Sequence, residues 1–167
     1  MPTINGRACI VDGTPVDKVF SNGRQIYGRN LVIGTSEDTV LDDTAGAYGQ
    51  GWYYSTFNLT QQLKVGDKIT VSAEGMLTGR GDLSTYEIVL YDSHITENRS
   101  DLHRLTAGTR SSVTLEVNNL NGTGDTVLLI YAGNAGDTGG KKNVIHHLKV
   151  EFGSTATPWS PAPEDVM

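Results

Sequence analysis

The chain has 167 residues, the length of one domain with some to spare, and its 37% of hydrophobic residues are enough to build a core. The formal net charge is −6 and no basic cluster exceeds Lys141-Lys142, which excludes a surface that neutralises nucleic-acid phosphates. The longest apolar runs, such as Val127–Ala132, are strand-sized and exclude a membrane-spanning helix of about 20 residues.

The first 29 residues predict two small β-hairpins. Asp12-Gly13 and Asn22-Gly23 each follow a short apolar run, and both dipeptides supply the positive φ angles of tight turns. No cationic start or apolar run precedes them, so we expect no export signal. An element this small has little core of its own. We therefore predict that residues 1–29 form a docking or oligomerisation segment.

Residues 30–153 predict one antiparallel β-sandwich. Apolar and polar residues alternate strictly in 69–73 and 113–117, which is typical of strands with one buried face, while 86–91 and 127–131 are almost continuously apolar. No ten-residue segment shows a helical stripe. We predict an all-β fold, a jelly-roll-like antiparallel β-sandwich with a small N-terminal β-hairpin appendage.

The last predicted strand begins at Val144 and ends at Phe152. Its alternation predicts that Val144, Leu148, Val150 and Phe152 share one side, and that Ile145, His147, Lys149 and Glu151 share the other. Three of the five prolines follow in residues 154–167, so we expect an extended C-terminal tail. Long polar stretches at 35–51, 92–111 and 132–143 are the loops where we expect the functional residues.

Segments at both ends of the chain resemble parts of known phage tail proteins. The closing run from Asn143 to Gly153, followed by Ala156-Thr157-Pro158-Trp159-Ser160-Pro161-Ala162-Pro163-Glu164-Asp165, is similar to the end of carbohydrate-binding-module-like domains in tail and baseplate proteins of phages that infect Gram-positive bacteria. Arg29–Ile33 looks like the opening strand of the same domains, and Val16–Gly28 is similar to a segment found in tail proteins of lactic-acid-bacterial phages.

The resemblance implies a module, carried on the phage tail of the virion, that binds host cell-wall polysaccharide without cleaving it. Its implied partners are that polysaccharide and other tail proteins. Because single sugar sites are commonly weak and many copies raise avidity, we expect a homo-oligomer, of which a trimer is one form. The alternative is a purely structural tail decoration or baseplate protein that binds no glycan.

Sugar rings need flat aromatic faces together with fixed polar groups. Trp52 and Tyr54 lie in the densest aromatic cluster, and strand alternation places them on one face. We predict that they bind carbohydrate; the alternative is that each packs in the core. Asp92, His94 and Arg104 lie in one polar loop as candidate ligands for sugar hydroxyls, and Asn134 and Asn143 flank another. The alternative for these five is a solvated polar loop.

Metal binding and catalysis have weaker signals. The single Cys9 excludes a cysteine-based zinc site, so calcium is the metal considered, with Glu151 beside the Asn30 strand as an oxygen ligand, and no cofactor is required. A glycan hydrolase needs two carboxylates about 5–10 Å apart, and no spacing pairs two acidic loop residues in this sequence. No Gly-x-Ser-x-Gly nucleophile motif occurs either. We therefore expect no enzymatic activity.

Overall fold

A computed structural model describes residues 7–46, 51–92, 102–117 and 126–167. Its strands are β1 (Ile10–Val11), β2 (Thr14–Pro15), β3 (Lys18–Ser21), β4 (Arg24–Gly28), β5 (Thr39–Asp42), β6 (Tyr54–Asn58), β7 (Lys68–Gly79), β8 (Thr85–Asp92), β9 (His103–Thr106), β10 (Arg110–Glu116), β11 (Thr126–Tyr131) and β12 (Lys141–Phe152). A short 3-10 helix at Pro163–Asp165 follows. None of the helical structure in the described residues is long and apolar enough to cross a membrane.

Eight strands form two antiparallel four-stranded sheets. The first sheet has the order β10-β7-β12-β5 and the second has the order β6-β11-β8-β9. Consecutive strands thus alternate between the sheets, except for the β8–β9 hairpin, and this winding of two Greek keys is that of a jelly roll. The hairpins β1–β2 and β3–β4 lie outside the two sheets. The predicted fold class is confirmed.

The core lies between the sheets and follows the predicted alternation. Ile69, Val71 and Ala73 of β7 face inward and are fully buried, as are Leu128 and Ile130 of β11. In both strands every second side chain points into this core, and its burial is the main stabilising contribution in a sandwich. The other face of these two strands is covered as well, since Thr70, Ser72 and Leu129 are also buried. The two strictly alternating segments, 69–73 and 113–117, therefore lie where the sequence places them, although β10 itself ends at Glu116.

The prediction of which side chains share a face is correct for only part of the last strand. The register of β12 against β7 shifts between His146 and Lys149, and His147 has a φ of +50°. A bulge of this kind inserts an extra residue and reverses which side chains face the core. Ile145 is consequently buried in the core together with Leu148 and Val150, although alternation placed it on the opposite side from them.

The N-terminal hairpin and the C-terminal segment cover part of the first sheet's outer face. Gly28 N donates to Thr157 Oγ1 at 3.1 Å, and Arg29 is paired with Glu164. Trp159 stacks on the His147 ring, with ring centroids 4.4 Å apart. The last residues of the predicted 1–29 segment and the predicted 154–167 tail therefore contact each other and the sandwich. The expected opening strand at Arg29–Ile33 is reduced to one isolated bridge, between Val32 and Leu59.

Candidate functional site

Four side chains form a row across the second sheet, on the face turned away from the core. Tyr54 of β6 is paired with Tyr131 of β11, and Glu87 of β8 is paired with Arg104 of β9. The β11–β8 pairing ends at Ile130 and Ile88, and Glu87 then donates its N–H to the Gly133 carbonyl at 3.0 Å, so Glu87 lies across from the end of β11 but out of strict register with Tyr131. Because neighbouring strands are about 4.8 Å apart, the row of four positions spans about 14 Å.

Trp52, just before β6, adds a third ring to the aromatic end and a fifth side chain to the row. Trp52 and Tyr54 are 45% and 47% exposed, whereas Tyr131 between them is buried. The Trp52 and Tyr54 rings lie 6.2 and 5.7 Å from the Tyr131 ring at interplanar angles of 69° and 70°, which are edge-to-face contacts. Tyr131 thus supports two half-exposed aromatic side chains.

The chain around Trp52 is held by the segment that joins β11 to β12. Tyr53 N donates to Thr138 Oγ1 at 2.9 Å, and Thr138 N donates to the Gly51 carbonyl at 3.1 Å. Gly51 has a φ of +76°, and a Cβ there would lie 2.6 Å from the Gly136 carbonyl group, so only glycine fits. Hydrogen bonds to the main chain on both sides of Trp52 therefore fix its backbone, and its ring rests against Tyr131.

The segment from Ala132 to Gly140 is itself anchored by charge. The Asp137 carboxylate contacts Lys141 Nζ at 2.8 Å and Arg80 Nη2 at 2.9 Å. The hydrogen bond from Lys141 lowers the pKa of Asp137, with Arg80 contributing, so the anchor stays ionised at neutral pH. The loop that supports Trp52 is therefore fixed before any ligand binds.

The polar end of the row is an ion pair of unequal exposure. Arg104 Nε donates to Glu87 Oε1 at 2.8 Å, and Ala135 N donates to Glu87 Oε2 at 2.8 Å. The Glu87 side chain is 7% exposed, whereas that of Arg104 is 65% exposed. The carboxylate therefore lies beneath the guanidinium group, whose terminal nitrogens extend toward solvent.

A small apolar cluster continues from the row along the same face. Tyr131 packs there with Val89, Val127 and Leu129, and Ala135 lies against them. This cluster is separate from the core between the sheets. It explains why segments 86–91 and 127–131 are apolar on both strand faces.

The two predicted asparagines occupy different surroundings. Asn134 Oδ1 accepts a hydrogen bond from Thr85 Oγ1 at 3.1 Å, in the loop that also supplies Ala135 N to Glu87. Asn143 is completely buried, and its Nδ2 donates to the Tyr131 carbonyl across the sheets at 3.4 Å. Asn134 thus lies beside the row, whereas Asn143 has no surface to offer a ligand and supports Tyr131 from inside.

Of the two remaining predicted sugar ligands, only the backbone position of Asp92 is described. His94 lies outside the described residues, and Asp92 ends β8 opposite Thr126. Five residues separate Asp92 from Glu87, or about 17 Å along the strand. Arg104 is paired with Glu87, and its predicted grouping with Asp92 and His94 stays a prediction.

Glu151 does not fit the expected calcium ligand. Its Oε1 accepts from Thr157 N and its Oε2 from Thr157 Oγ1, both at 2.8 Å, in a fully buried position. No group of three or more His, Cys, Asp or Glu side chains suited to a metal ion is found within the described ranges. The Glu151 carboxylate is thus a structural acceptor for the C-terminal segment.

The row combines the kinds of chemical group that are suited to binding a sugar chain. Half-exposed aromatic rings can pack on the apolar faces of pyranose rings, and fixed donors can bind hydroxyls. Of its members, Trp52, Tyr54 and Arg104 were predicted from the sequence, whereas Tyr131 and Glu87 were not. The detectable signal for Glu87 was a single charged residue inside the apolar run 86–91.

Comparison with known proteins identifies related folds. No protein-family model and no curated protein sequence matches the chain. A solved structure of the tripod from the baseplate of bacteriophage Tuc2009 is similar with a TM-score of 0.52 and 14% identity, covering 83% of this chain. The chain spans 60% of the length of that protein. A structure described as CBM4 is similar at a TM-score of 0.39 and 10% identity, covering 75% of this chain and 92% of its own.

The similarity to the baseplate tripod concerns the fold alone. At 14% identity it relates the folds of the two proteins and carries no residue of a binding site from one to the other. The expected resemblance to a phage baseplate module is confirmed at that level.

Proposed function

We propose that this protein is a non-catalytic module of a bacteriophage tail that binds host cell-wall polysaccharide. The observation that carries the proposal is the row of Trp52, Tyr54, Tyr131, Glu87 and Arg104 on one sheet face. It offers aromatic faces and a fixed guanidinium group over about 14 Å, which is long enough for about three sugar rings at one ring per strand spacing.

The preorganisation of the row supports a binding role. Trp52 is held by main-chain bonds from both neighbours, and Arg104 is oriented by a buried carboxylate. Side chains fixed before binding lose little conformational entropy when a ligand arrives. Solvated surface residues would not need such support.

The state of Glu87 supports the absence of hydrolysis. A glycosidase needs one carboxyl group to protonate the leaving oxygen and a second to act as nucleophile or base. Both Glu87 oxygens accept hydrogen bonds from the protein, one from Arg104 and one from Ala135, so this group is committed to holding Arg104. Incubation with wall polysaccharide should release no new reducing ends.

The location on a phage tail is supported by the likeness to the Tuc2009 baseplate tripod. A module displayed in several copies on one particle would gain avidity from weak single sites. We accordingly include association with other tail proteins, and self-association, in the proposal.

The test is binding to purified cell-wall polysaccharide from the host. Trp52→Ala and Tyr54→Ala should each weaken binding by about tenfold, as expected for the loss of a stacking aromatic face worth 1–2 kcal/mol. The matched control is Met76→Ala, which removes an exposed apolar side chain from the outer face of the first sheet, away from the row, and should leave binding unchanged. Absence of wild-type binding to any host wall preparation would refute the proposal.

The second candidate is a structural baseplate component without glycan binding. The same likeness to a baseplate tripod favours it, because a jelly roll can serve as a spacer. It predicts that Trp52→Ala leaves phage adsorption unchanged, whereas the proposed function predicts reduced adsorption with normal particle assembly.

A further inference from the structure

The charge arrangement within the row indicates what kind of glycan it accepts. Of the four cross-strand positions, two are tyrosines and two carry opposite charges. Glu87 and Arg104 are in direct contact at 2.8 Å, so the pair has no net charge. The chain as a whole carries −6.

The position of Glu87 decides how Arg104 can act. The Glu87 carboxylate accepts a hydrogen bond from Arg104 Nε. This leaves the two terminal nitrogens of Arg104 as a planar set of donors with four N–H groups. Two adjacent nitrogens of this kind can donate to two neighbouring hydroxyl oxygens at once. An anionic group at the same place would approach a fixed carboxylate directly beneath the guanidinium group, and its attraction to Arg104 would be largely cancelled.

We propose that Glu87 is a positioning residue that makes the row selective for a neutral glycan, whose vicinal hydroxyls bind Arg104 while its rings pack on Trp52 and Tyr54. This inference rests on the proposed function. Glu87 performs two tasks through Arg104: it fixes the plane of the guanidinium group, and it removes the net positive charge that would attract an acidic polymer. The negative charge of the whole protein acts in the same direction.

The probes are three sets of oligosaccharides of three to six rings: neutral, uronate-bearing and phosphate-bearing. We expect wild-type protein to bind neutral members about tenfold or more tightly than acidic members. We also expect affinity for the neutral members to change less than about twofold between 50 and 500 mM NaCl, because a neutral ligand leaves no charge interaction to screen.

The decisive variant is Glu87→Gln. It leaves Arg104 without its counter-charge, so neutral affinity should fall about tenfold while affinity for acidic members rises and becomes salt-dependent. A general loss of structure would weaken binding to both neutral and acidic members. Opposite changes in these two affinities therefore identify a change in selectivity.

The matched control is Glu116→Gln. Glu116 pairs with Lys68 across β10 and β7 on the other sheet, 3.7 Å apart and exposed on both sides. This variant makes the same change in net charge far from the row, so it should change neither affinity nor selectivity.

Because Glu87 is almost buried, its substitution could disturb folding. A second variant therefore tests the same inference at an exposed residue. Arg104→Lys keeps the charge on an exposed side chain but removes the planar donor set. It should fold normally and lose neutral binding by about tenfold.

Two outcomes separate this inference from the proposed function. If the wild type prefers acidic members, or Glu87→Gln and Arg104→Lys both leave neutral binding intact, the inference fails while glycan binding stands. If the wild type binds no member of any set and no host wall preparation, the proposed function fails and this inference with it.

Discussion

Lys149 is the most deeply buried cation among the described side chains with a shifted pKa. Its Nζ donates to Thr157 Oγ1 and the Pro158 carbonyl, each at 2.8 Å, and to Ser160 Oγ at 3.4 Å. Burial lowers the pKa of Lys149 to about 8, against the opposing attraction of Glu151. The ammonium group thus fastens the C-terminal segment at the cost of desolvation.

The first stability prediction follows from that pKa. Below about 8 Lys149 is protonated in both states; between about 8 and its ordinary value of 10.5, the unfolded chain binds more protons than the folded chain. Stability therefore rises with pH in this window, on the order of 2 kcal/mol. Denaturant unfolding from pH 7 to 10 should show this rise for the wild type relative to Lys149→Met.

The upper limit of that window is set by tyrosines. Burial raises the pKa of both Tyr27 and Tyr86, so the folded state resists their ionisation and stability falls again above about pH 10. Comparing the wild type with Lys149→Met at each pH cancels this contribution. Parallel curves for the two proteins would show that Lys149 has no such pKa shift.

A residue's role could be predicted from the sequence only where it depended on residues nearby in the chain. Trp52 and Tyr54 were recognisable because aromatic residues in alternation share a face. Glu87 was not, since its importance comes from Arg104, which is 17 positions away and becomes its neighbour only through the β8–β9 register. Lys149 and Glu151 were predicted only to share one side of the last strand, because nothing local indicated that two other segments cover them.

At the scale of elements, alternation identified strands best where they were long and regular. β7 and β10 follow it, whereas the short strands β5 and β9 lie within stretches that composition predicted as loops. A four-residue strand gives too few alternating positions to stand out, and its formation depends on pairing with a distant partner. The bulge in β12 was equally hidden, because no glycine marks it.

The element that carries Trp52 gives a second prediction. Gly51→Ala would force a Cβ to within 2.6 Å of the Gly136 main chain at a φ of +76°. We expect a loss of about 2–3 kcal/mol in unfolding free energy and weaker polysaccharide binding, because Trp52 moves with its loop.

Substituting a second glycine separates the effect of backbone strain at a positive φ from the effect of the steric contact with Gly136. Gly108 has a φ of +82° but no atom within 4 Å of its added Cβ, so Gly108→Ala tests backbone strain alone. It should cost about 1 kcal/mol and leave binding unchanged. Equal losses from both variants would mean that the contact between residues 51 and 136 is unimportant.

At the scale of the whole molecule, the two ends of the sandwich differ. The row lies near the edge where β11 ends and β12 begins. Gly28 and Thr157 meet beside Glu151, close to the other end of β12. The proposed glycan site and the two terminal segments therefore lie at opposite ends of the strands.

The N-terminal hairpins give a prediction about assembly. Val11 and Phe20 are 56% and 60% exposed, although both are apolar. If these hairpins mediate self-association, the double variant Val11→Ser/Phe20→Ser should convert an oligomer to a monomer in sedimentation velocity.

Two exposed apolar residues elsewhere make the control. Val40 and Met76 lie in one cross-strand row on the outer face of the first sheet, and Val40→Ser/Met76→Ser removes a similar exposed surface. This variant should keep the wild-type mass. A monomeric wild type, or an unchanged mass for the hairpin variant, would contradict the assignment of residues 1–29.

The opposite placement of the site and the terminal segments has a mechanical consequence. If the proposed tail module is held through these segments, tension between the phage particle and a bound cell wall would run along the strand axes. The hydrogen bonds between β7 and the twelve-residue β12 lie across that direction, so they are loaded together in shear and not opened one at a time. Under the proposed function, we therefore expect a bound glycan to dissociate before the sandwich unfolds.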